Sequence, residues 1–412
     1  MRILHVNNQH RGVGGSDAAC HAVIDTCTER GLEIGFFGRD SKELPAGLLG
    51  KVEAFFTGVY ARSAVKDFER TLQEFRPDVV HVHELFPMIS PWILPRCTAA
   101  GIPVVMTCYD FRITCPIATH HNKRGICYDC KGGKEYKAIV NNCRNSLPES
   151  LAYGLRSAVA RRFGLFTDHI TRFIVLSEFS KTWIEQSAGI SPERVATIPC
   201  VIPAPDKGIN DAYAGEYVGY AGRFAPEKGV DLLLESCRRL GLPLRLAGDS
   251  MTYPGIREGD DAICVPTPTP ESLVEFYRGA RVLVVASLWE ETFACVLSEA
   301  KAEGVPVIAP RIGAMPDLVE DNVTGLLFET GNVDELTEKI DRIWHDADLC
   351  RRLGAAGRRD VQENLNEDTC FAQLVAVYED VIRTSGKPSA TSDPMRGRIS
   401  VEQVTEANRL AE

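Results

Sequence analysis

Trp289-Glu290-Glu291-Thr292-Phe293-Ala294-Cys295-Val296-Leu297-Ser298-Glu299-Ala300 follows directly on the apolar run Ala280-Arg281-Val282-Leu283-Val284-Val285-Ala286-Ser287. An apolar run, a short turn and a stretch with helical spacing read as strand, turn and helix, with the helix beginning near Phe293. Such a helix start presents unpaired backbone N–H groups and the positive end of the helix dipole, which favour a phosphate. Glu291 falls at the helix mouth. Glu299, eight residues on, is expected on roughly the same face, since eight residues is close to two turns. A carboxylate at each end of an anion site suits a sugar nucleotide, one end taking ribose hydroxyls and the other the sugar. Two solvated helix charges would show the same spacing.

About 70 residues upstream stands Tyr217-Val218-Gly219-Tyr220-Ala221-Gly222-Arg223-Phe224-Ala225-Pro226-Glu227-Lys228-Gly229-Val230-Asp231. It reads as a short strand, a turn carrying two cations, and a helix from Val230 to Leu240. Arg223 offers a bidentate fork and Lys228 a point charge, which together make a diphosphate clamp. An ordinary charged surface turn is the plain alternative. Taken together, Gly-Arg-Phe-x-x-Glu-Lys-Gly and Glu-x7-Glu resemble the retaining glycosyltransferases of the GT-B fold, specifically glycosyltransferase family 4, over the chain to about residue 385.

The resemblance implies an α/β fold of two Rossmann-like domains facing across a cleft, with a C-terminal helix crossing back to the first domain. The implied divisions are an acceptor-side domain over 1–203, a nucleotide-sugar domain over 204–366 and a crossover helix over 367–385. The implied activity is transfer of a sugar, with retention, from a UDP- or GDP-linked donor to a glycan, lipid-linked or small-molecule acceptor. Arg223, Lys228, Glu291 and Asp110 are the expected catalytic residues. Gly14, Gly15, Pro268, Phe293, Ala294, Cys295, Val296 and Glu299 join Arg223, Lys228 and Glu291 around the donor. A non-catalytic sugar-nucleotide-binding protein and a sugar-nucleotide epimerase or hydrolase are the alternatives on this architecture.

Bulk properties narrow the field. With 412 residues and 44% apolar content, the chain can build two cores. No run of about 18 uncharged apolar residues is present, and Met1-Arg2-Ile3-Leu4-His5-Val6 enters a strand without a secretory signal, so a cytoplasmic setting is expected. A net charge of −10 argues against general nucleic-acid binding. Fourteen cysteines without a signal peptide point to reduced thiols or a metal site.

In the first half the expected strands are Arg2–Asn7, Glu33–Phe37, Val79–His83, Val104–Thr107 and Arg172–Leu176. After the first comes His10-Arg11-Gly12-Val13-Gly14-Gly15-Ser16-Asp17. A dinucleotide fingerprint needs glycine where Asp17 stands, which argues against an NAD enzyme. His83, at the carboxyl end of its strand, is a cleft candidate, whereas His81 suits the core equally well. Where the resembling family commonly reads His-Asp-Tyr, this chain has Tyr109-Asp110-Phe111. Family members also usually carry Gly where this chain has Ala294, and a Cβ there would matter if the position needed positive φ.

Cys115, Cys127, Cys130 and Cys143 lie in a segment without helical periodicity and could enclose a tetrahedral structural zinc. Free thiols in an acceptor-facing loop, or a disulfide, would also suit that segment, and no catalytic metal is expected. Residues 150–166 form an amphipathic basic helix with Leu155, Arg156, Arg161, Arg162 and Phe163, suited to an anionic membrane surface or to the outer face of a domain. Prolines and a glycine over 198–208 mark the linker. In the second half the strand pattern resumes at Leu244–Ala247, Ala262–Val265, Val282–Ala286, Val305–Ala309 and Gly325–Phe328, and the tail 386–412 reads as disordered.

Overall fold

The computed structural model describes residues 1–10, 15–202, 208, 210–248, 250–265 and 269–385. The expected linker is only partly described, and the disordered-tail expectation for 386–412 lies outside the described residues. Two six-stranded sheets carry the chain, and every pairing within them is parallel.

The first half contains β1 (Arg2–Gln9), β2 (Glu33–Asp40), β3 (Val79–Val82), β4 (Val104–Cys108), the small hairpin β5 (His121–Asn122) and β6 (Gly125–Ile126), β7 (Arg172–Val175) and β8 (Val195–Thr197). Its helices are α1 (Gly15–Glu29), α2 (Leu48–Val59), α3 (Arg62–Phe75), α4 (Leu94–Ala99), α5 (Lys137–Val140), α6 (Leu147–Arg162) and α7 (Glu178–Ala188). The second half contains β9 (Tyr217–Ala221), β10 (Leu244–Ala247), β11 (Ala262–Val265), β12 (Ala280–Val284), β13 (Val307–Pro310) and β14 (Leu326–Phe328). Its helices are α8 (Val230–Leu240), α9 (Pro270–Gly279), α10 (Cys295–Ala302), α11 (Met315–Leu318), α12 (Val333–His345), α13 (Ala347–Asn364) and α14 (Glu367–Thr384).

The central strands are buried because helices cover both faces of a parallel sheet. All of β3 and β4 is buried, as are the first seven residues of β1. Strand order is β2-β1-β3-β4-β7-β8 in the first sheet and β11-β10-β9-β12-β13-β14 in the second. Each chain therefore lays strands to one side of its first strand, then returns to the other side. The reversal opens a crevice at the carboxyl ends of β1 and β3 in one sheet, and of β9 and β12 in the other.

The chain leaves the second half through α13 and returns to the first through α14. Cys370, Leu374, Val377, Tyr378 and Val381 of α14 pack on Ile3, Val79, Val105 and Ile174 of the first sheet. Polar contacts fix the helix along its length: the Tyr378 hydroxyl meets His81 Nδ1 at 2.6 Å, and Arg172 pairs with Asp380. Strand β8 and the hairpin were not expected from the sequence, being too short to show a period.

One buried charge ties α10 to α13. Lys301 is fully buried, donates to the Leu318 carbonyl at 2.7 Å and pairs with Asp360; burial lowers its pKa. Removing one member of such a pair leaves an uncompensated charge in the interior. Asp360→Ala is expected to lower unfolding free energy by about 3 kcal/mol, read as a shift of the urea midpoint; an unchanged midpoint would show the pair to be dispensable.

Candidate active site

The crevice of the second sheet is formed by the loop after β9 and the loop after β12. In the first of these, Pro226–Lys228 makes one 3-10 turn and Gly229, with φ of 66°, ends it and starts α8. A Cβ at Gly229 would lie 2.0 Å from the Ala286 carbonyl oxygen, so only glycine lets the two loops approach this closely. Leu288 N–H closes the contact by donating to the Glu227 carbonyl at 2.8 Å.

That approach brings Lys228 Nζ to 2.9 Å from Glu291 Oε2, with both side chains mostly buried. The other Glu291 oxygen accepts from the Ser287 hydroxyl, and Lys228 also lies over the Trp289 ring at 5.2 Å. Arg223 differs. Its side chain is 55% exposed and its ion pair, with Glu227, is long at 3.8 Å. The clamp thus consists of one cation held in place by a carboxylate and one extended into solvent.

The expected geometry of the two glutamates needs correction. The helix begins at Cys295, not near Phe293, so Glu291 lies in the loop ahead of it and the two-turn spacing does not apply. Residues 291 and 292 stay non-helical because their carbonyls are engaged elsewhere. Ala314 N–H donates to the Glu291 carbonyl at 3.0 Å, and the Thr292 carbonyl accepts from the Ser177 and Ser180 hydroxyls at 2.8 and 3.2 Å. Ala294 caps α10 with φ of −120°, a conformation open to any residue, so its Cβ imposes no backbone strain. Glu299 lies within α10 and accepts from the Tyr277 hydroxyl at 2.6 Å; burial raises its pKa. Phe293 and Ala294 are buried, while Cys295 and Val296 are half-buried at the helix start. Gly15 opens α1 and is exposed, and Gly14 and Pro268 lie outside the described residues.

Across from this crevice, the first sheet presents a polar group that sequence reading did not single out. Glu84, immediately after β3, is buried and pairs with Arg112, which also grips Asp110 through two of its nitrogens. Burial pushes the Glu84 carboxyl up, and Arg112 pulls it down. His10 Nε2 stands 4.0 Å from Glu84. Asp110 is therefore held in an ion pair instead of standing alone as a carboxylate.

Behind this group, His5, His81 and His83 form a buried network. His5 Nδ1 and His83 Nε2 are 2.9 Å apart, His83 Nδ1 meets the Tyr109 hydroxyl at 2.9 Å, and His81 uses both ring nitrogens on Tyr378 and Thr107. Burial lowers all three pKa values and keeps the rings neutral. Among the described residues only this trio brings three such ligand atoms within 4.8 Å of one another. A metal there would have to displace existing bonds of His81, so we read the trio as a hydrogen-bonded network. The Tyr109 hydroxyl is turned to His83, away from the role of a free donor.

Cys115, Cys127, Cys130 and Cys143 line one cavity of about 300 Å³ without closing to ligand spacing. Their segment reaches the loop of Glu291: the Tyr128 hydroxyl bonds Glu290, and His120 Nδ1 stands 3.9 Å from the same carboxylate. A larger recess of about 480 Å³ beneath α14 is lined by Tyr109, Leu176, Cys200 and Leu374 among others, with no charged group, so it does not suit a diphosphate.

Gly229→Ala is expected to destabilise the protein by about 1–3 kcal/mol, since both the positive φ and the Ala286 contact oppose it. Denaturation with wild-type stability would show that the two loops do not touch as described.

Comparison with known proteins agrees with this architecture. Residues 212–360 match the family "Glycosyl transferases group 1", and residues 13–204 match "Glycosyltransferase Family 4". The chain is similar to the D-inositol 3-phosphate glycosyltransferase of Mycobacteroides abscessus, with 31% identity over 384 residues, covering 86% of this chain and 74% of that protein. It spans about half the length of several other curated relatives it matches. Among solved structures, sucrose-phosphate synthase from Thermosynechococcus elongatus superposes with a TM-score of 0.69 at 19% identity, covering 93% of this chain and 99% of that one. Anabaena Alr3699/HepE in complex with UDP and glucose gives 0.61 at 17% identity, covering 92% and 100%. The chain belongs to glycosyltransferase family 4, on the GT-B fold.

Proposed function

We propose that this protein transfers a sugar from a nucleoside-diphosphate donor, with retention of configuration, to an acceptor held by the first sheet. The observation that carries the reading is the 2.9 Å contact between Lys228 and Glu291, which joins the cation-bearing loop to the loop that feeds α10. The diphosphate binds between Arg223, Lys228 and the N–H groups at the start of α10. Two positive side chains then neutralise the charge that grows on the departing diphosphate, and stabilisation of that kind is usually the largest single contribution to such catalysis.

Glu299, steadied by Tyr277, takes the ribose hydroxyls. Glu291 retains lone pairs beyond those used by Lys228 and Ser287, and accepts from a hydroxyl of the transferring sugar. Asp110 and Glu84, the described carboxylates that the first sheet presents to the cleft beside Arg112, are both committed to that arginine, which leaves neither of them free as a nucleophile. Same-face displacement, with the acceptor entering on the side the diphosphate leaves, fits that arrangement. The donor is taken to be a UDP- or GDP-linked sugar. The relative named above as a D-inositol 3-phosphate glycosyltransferase supports transfer of a sugar to a polar acceptor.

The cysteine quartet is proposed as a staple held by zinc, in a segment whose only regular structure besides the hairpin is the four-residue α5. Binding would draw the four thiols inward from their present spacing. Elemental analysis of the purified protein is expected to return one zinc per chain, lost in Cys127→Ser with Cys130→Ser; absence of zinc from the wild type would remove the staple.

Arg223→Ala and Lys228→Ala are each expected to lower kcat/KM about a hundredfold in a donor-turnover assay. Arg223 is exposed, so its replacement leaves the fold intact and gives the cleaner result. Wild-type rates in both variants would end the transferase reading, and donor consumption without acceptor would favour a hydrolase or epimerase.

A further inference from the structure

Fifteen large apolar side chains of the described residues are exposed, and ten fall between Leu49 and Tyr60 or between Tyr136 and Phe163, so the exposed apolar surface is concentrated in two short segments. These segments adjoin. Helix α2 packs on α6, α5 packs on α6, and Lys51 of α2 pairs with Glu149 of α6 at 2.8 Å. On α2 the exposed residues are Leu49, Val52 and Phe56; on α6 they are Leu147, Leu151 and Leu155. Each trio follows helical spacing, so each forms a stripe along one outward face. At the far end Tyr60 meets Trp92, and Trp92 meets Phe163 with ring centroids 5.2 Å apart, which joins the two stripes.

Charge on this face runs against that of the protein. Residues 123–162 contain nine Lys and Arg against three Asp and Glu, a net of +6 in a chain whose total is −10. Three of these cations are paired, Arg124 with Asp129, Arg144 with Glu149 and Arg161 with Glu135, all three acids being already in the net count, and Glu149 also holds Lys51 of α2. Lys137 and Arg162 lie over the rings of Tyr136 and Phe163, apolar stems on the surface and charges at its edge. A helix pair with apolar stripes bordered by cations is suited to the boundary between lipid headgroups and acyl chains.

We propose that α2, α5 and α6 seat the protein on an anionic lipid surface. Apolar side chains enter the headgroup boundary, and the cations at its edge, Lys137 and Arg162 among them, meet the lipid phosphates. The inference goes beyond the transferase reading and does not depend on it. It also gives that reading a direction. Arg156 of α6 lies between the Tyr153 and Phe86 rings at 3.9 and 4.1 Å and donates to the Pro116 carbonyl at 3.3 Å. The helix that meets the lipid thus also backs the polar group of Glu84, Asp110 and Arg112.

The test is co-sedimentation of the full chain with vesicles of phosphatidylcholine alone and of phosphatidylcholine mixed with phosphatidylglycerol. Binding is expected to the mixed vesicles, weakened by salt, and at least about tenfold weaker to phosphatidylcholine alone. Phe56→Ser with Leu151→Ser is expected to weaken it about tenfold, while Val323→Ser, an exposed apolar residue elsewhere, changes nothing. Thermal melts establish that the variants are folded. Failure of the wild type to bind mixed vesicles overturns the proposal. So does a dimer in sedimentation velocity that the Phe56 and Leu151 variant dissociates, because the face would then be covered by a second copy.

Discussion

The close approach of two loops at the reversal of strand order beside β9 is the constraint on which the rest of the site depends. A parallel sheet that continued in one direction would keep the loop after β9 away from the loop after β12. Because β10 and β11 lie on one side and β12 on the other, both loops emerge at the same crevice. Gly229 permits contact with Ala286, and the bond from Leu288 to Glu227 fixes its register. Lys228 and Glu291 then oppose each other at 2.9 Å. Arg223, six residues from the glycine and paired only loosely with Glu227, supplies the exposed half of the charge.

The same loop also joins the two halves. Thr292 donates to the Tyr109 carbonyl at 2.6 Å and accepts from Ser177 and Ser180, while Asp317 accepts from the Phe179 N–H at 2.7 Å. Glu290 meets Tyr128 of the cysteine-bearing segment. Residues 290–292 therefore carry contacts to three parts of the first half, next to the carboxylate facing Lys228. A change in the spacing of the two sheets would be felt at Glu291 through its own backbone.

Much of this was legible in the sequence where chemistry is local. Strands such as Leu244–Ala247 and Ala262–Val265 fall where their apolar runs and flanking breakers place them, and Ser177 caps α7 as its position suggests. Motif order suggested that Lys228 and Glu291 share one site, but their direct 2.9 Å contact depends on topology and was not read from the sequence. What could not be read were partners distant in sequence. Tyr277 reaches Glu299 across the α9–α10 packing, Arg112 gathers Glu84 and Asp110, and Tyr378 bonds His81 from 297 residues away. The start of α10 falls two residues later than its apolar spacing suggests, at Cys295 after the cap Ala294, because the preceding Glu291 and Thr292 carbonyls are taken up by tertiary hydrogen bonds. Glu84 had one available signal, a carboxylate directly after a buried strand at its carboxyl end.

A crystal structure of the protein with UDP or GDP tests the central claim most directly. The account predicts both phosphates between Arg223, Lys228 and the backbone N–H groups at the start of α10, with the ribose at Glu299. Phosphates seated elsewhere, or a crevice beside β9 and β12 left without nucleotide while one binds at another place, would contradict it.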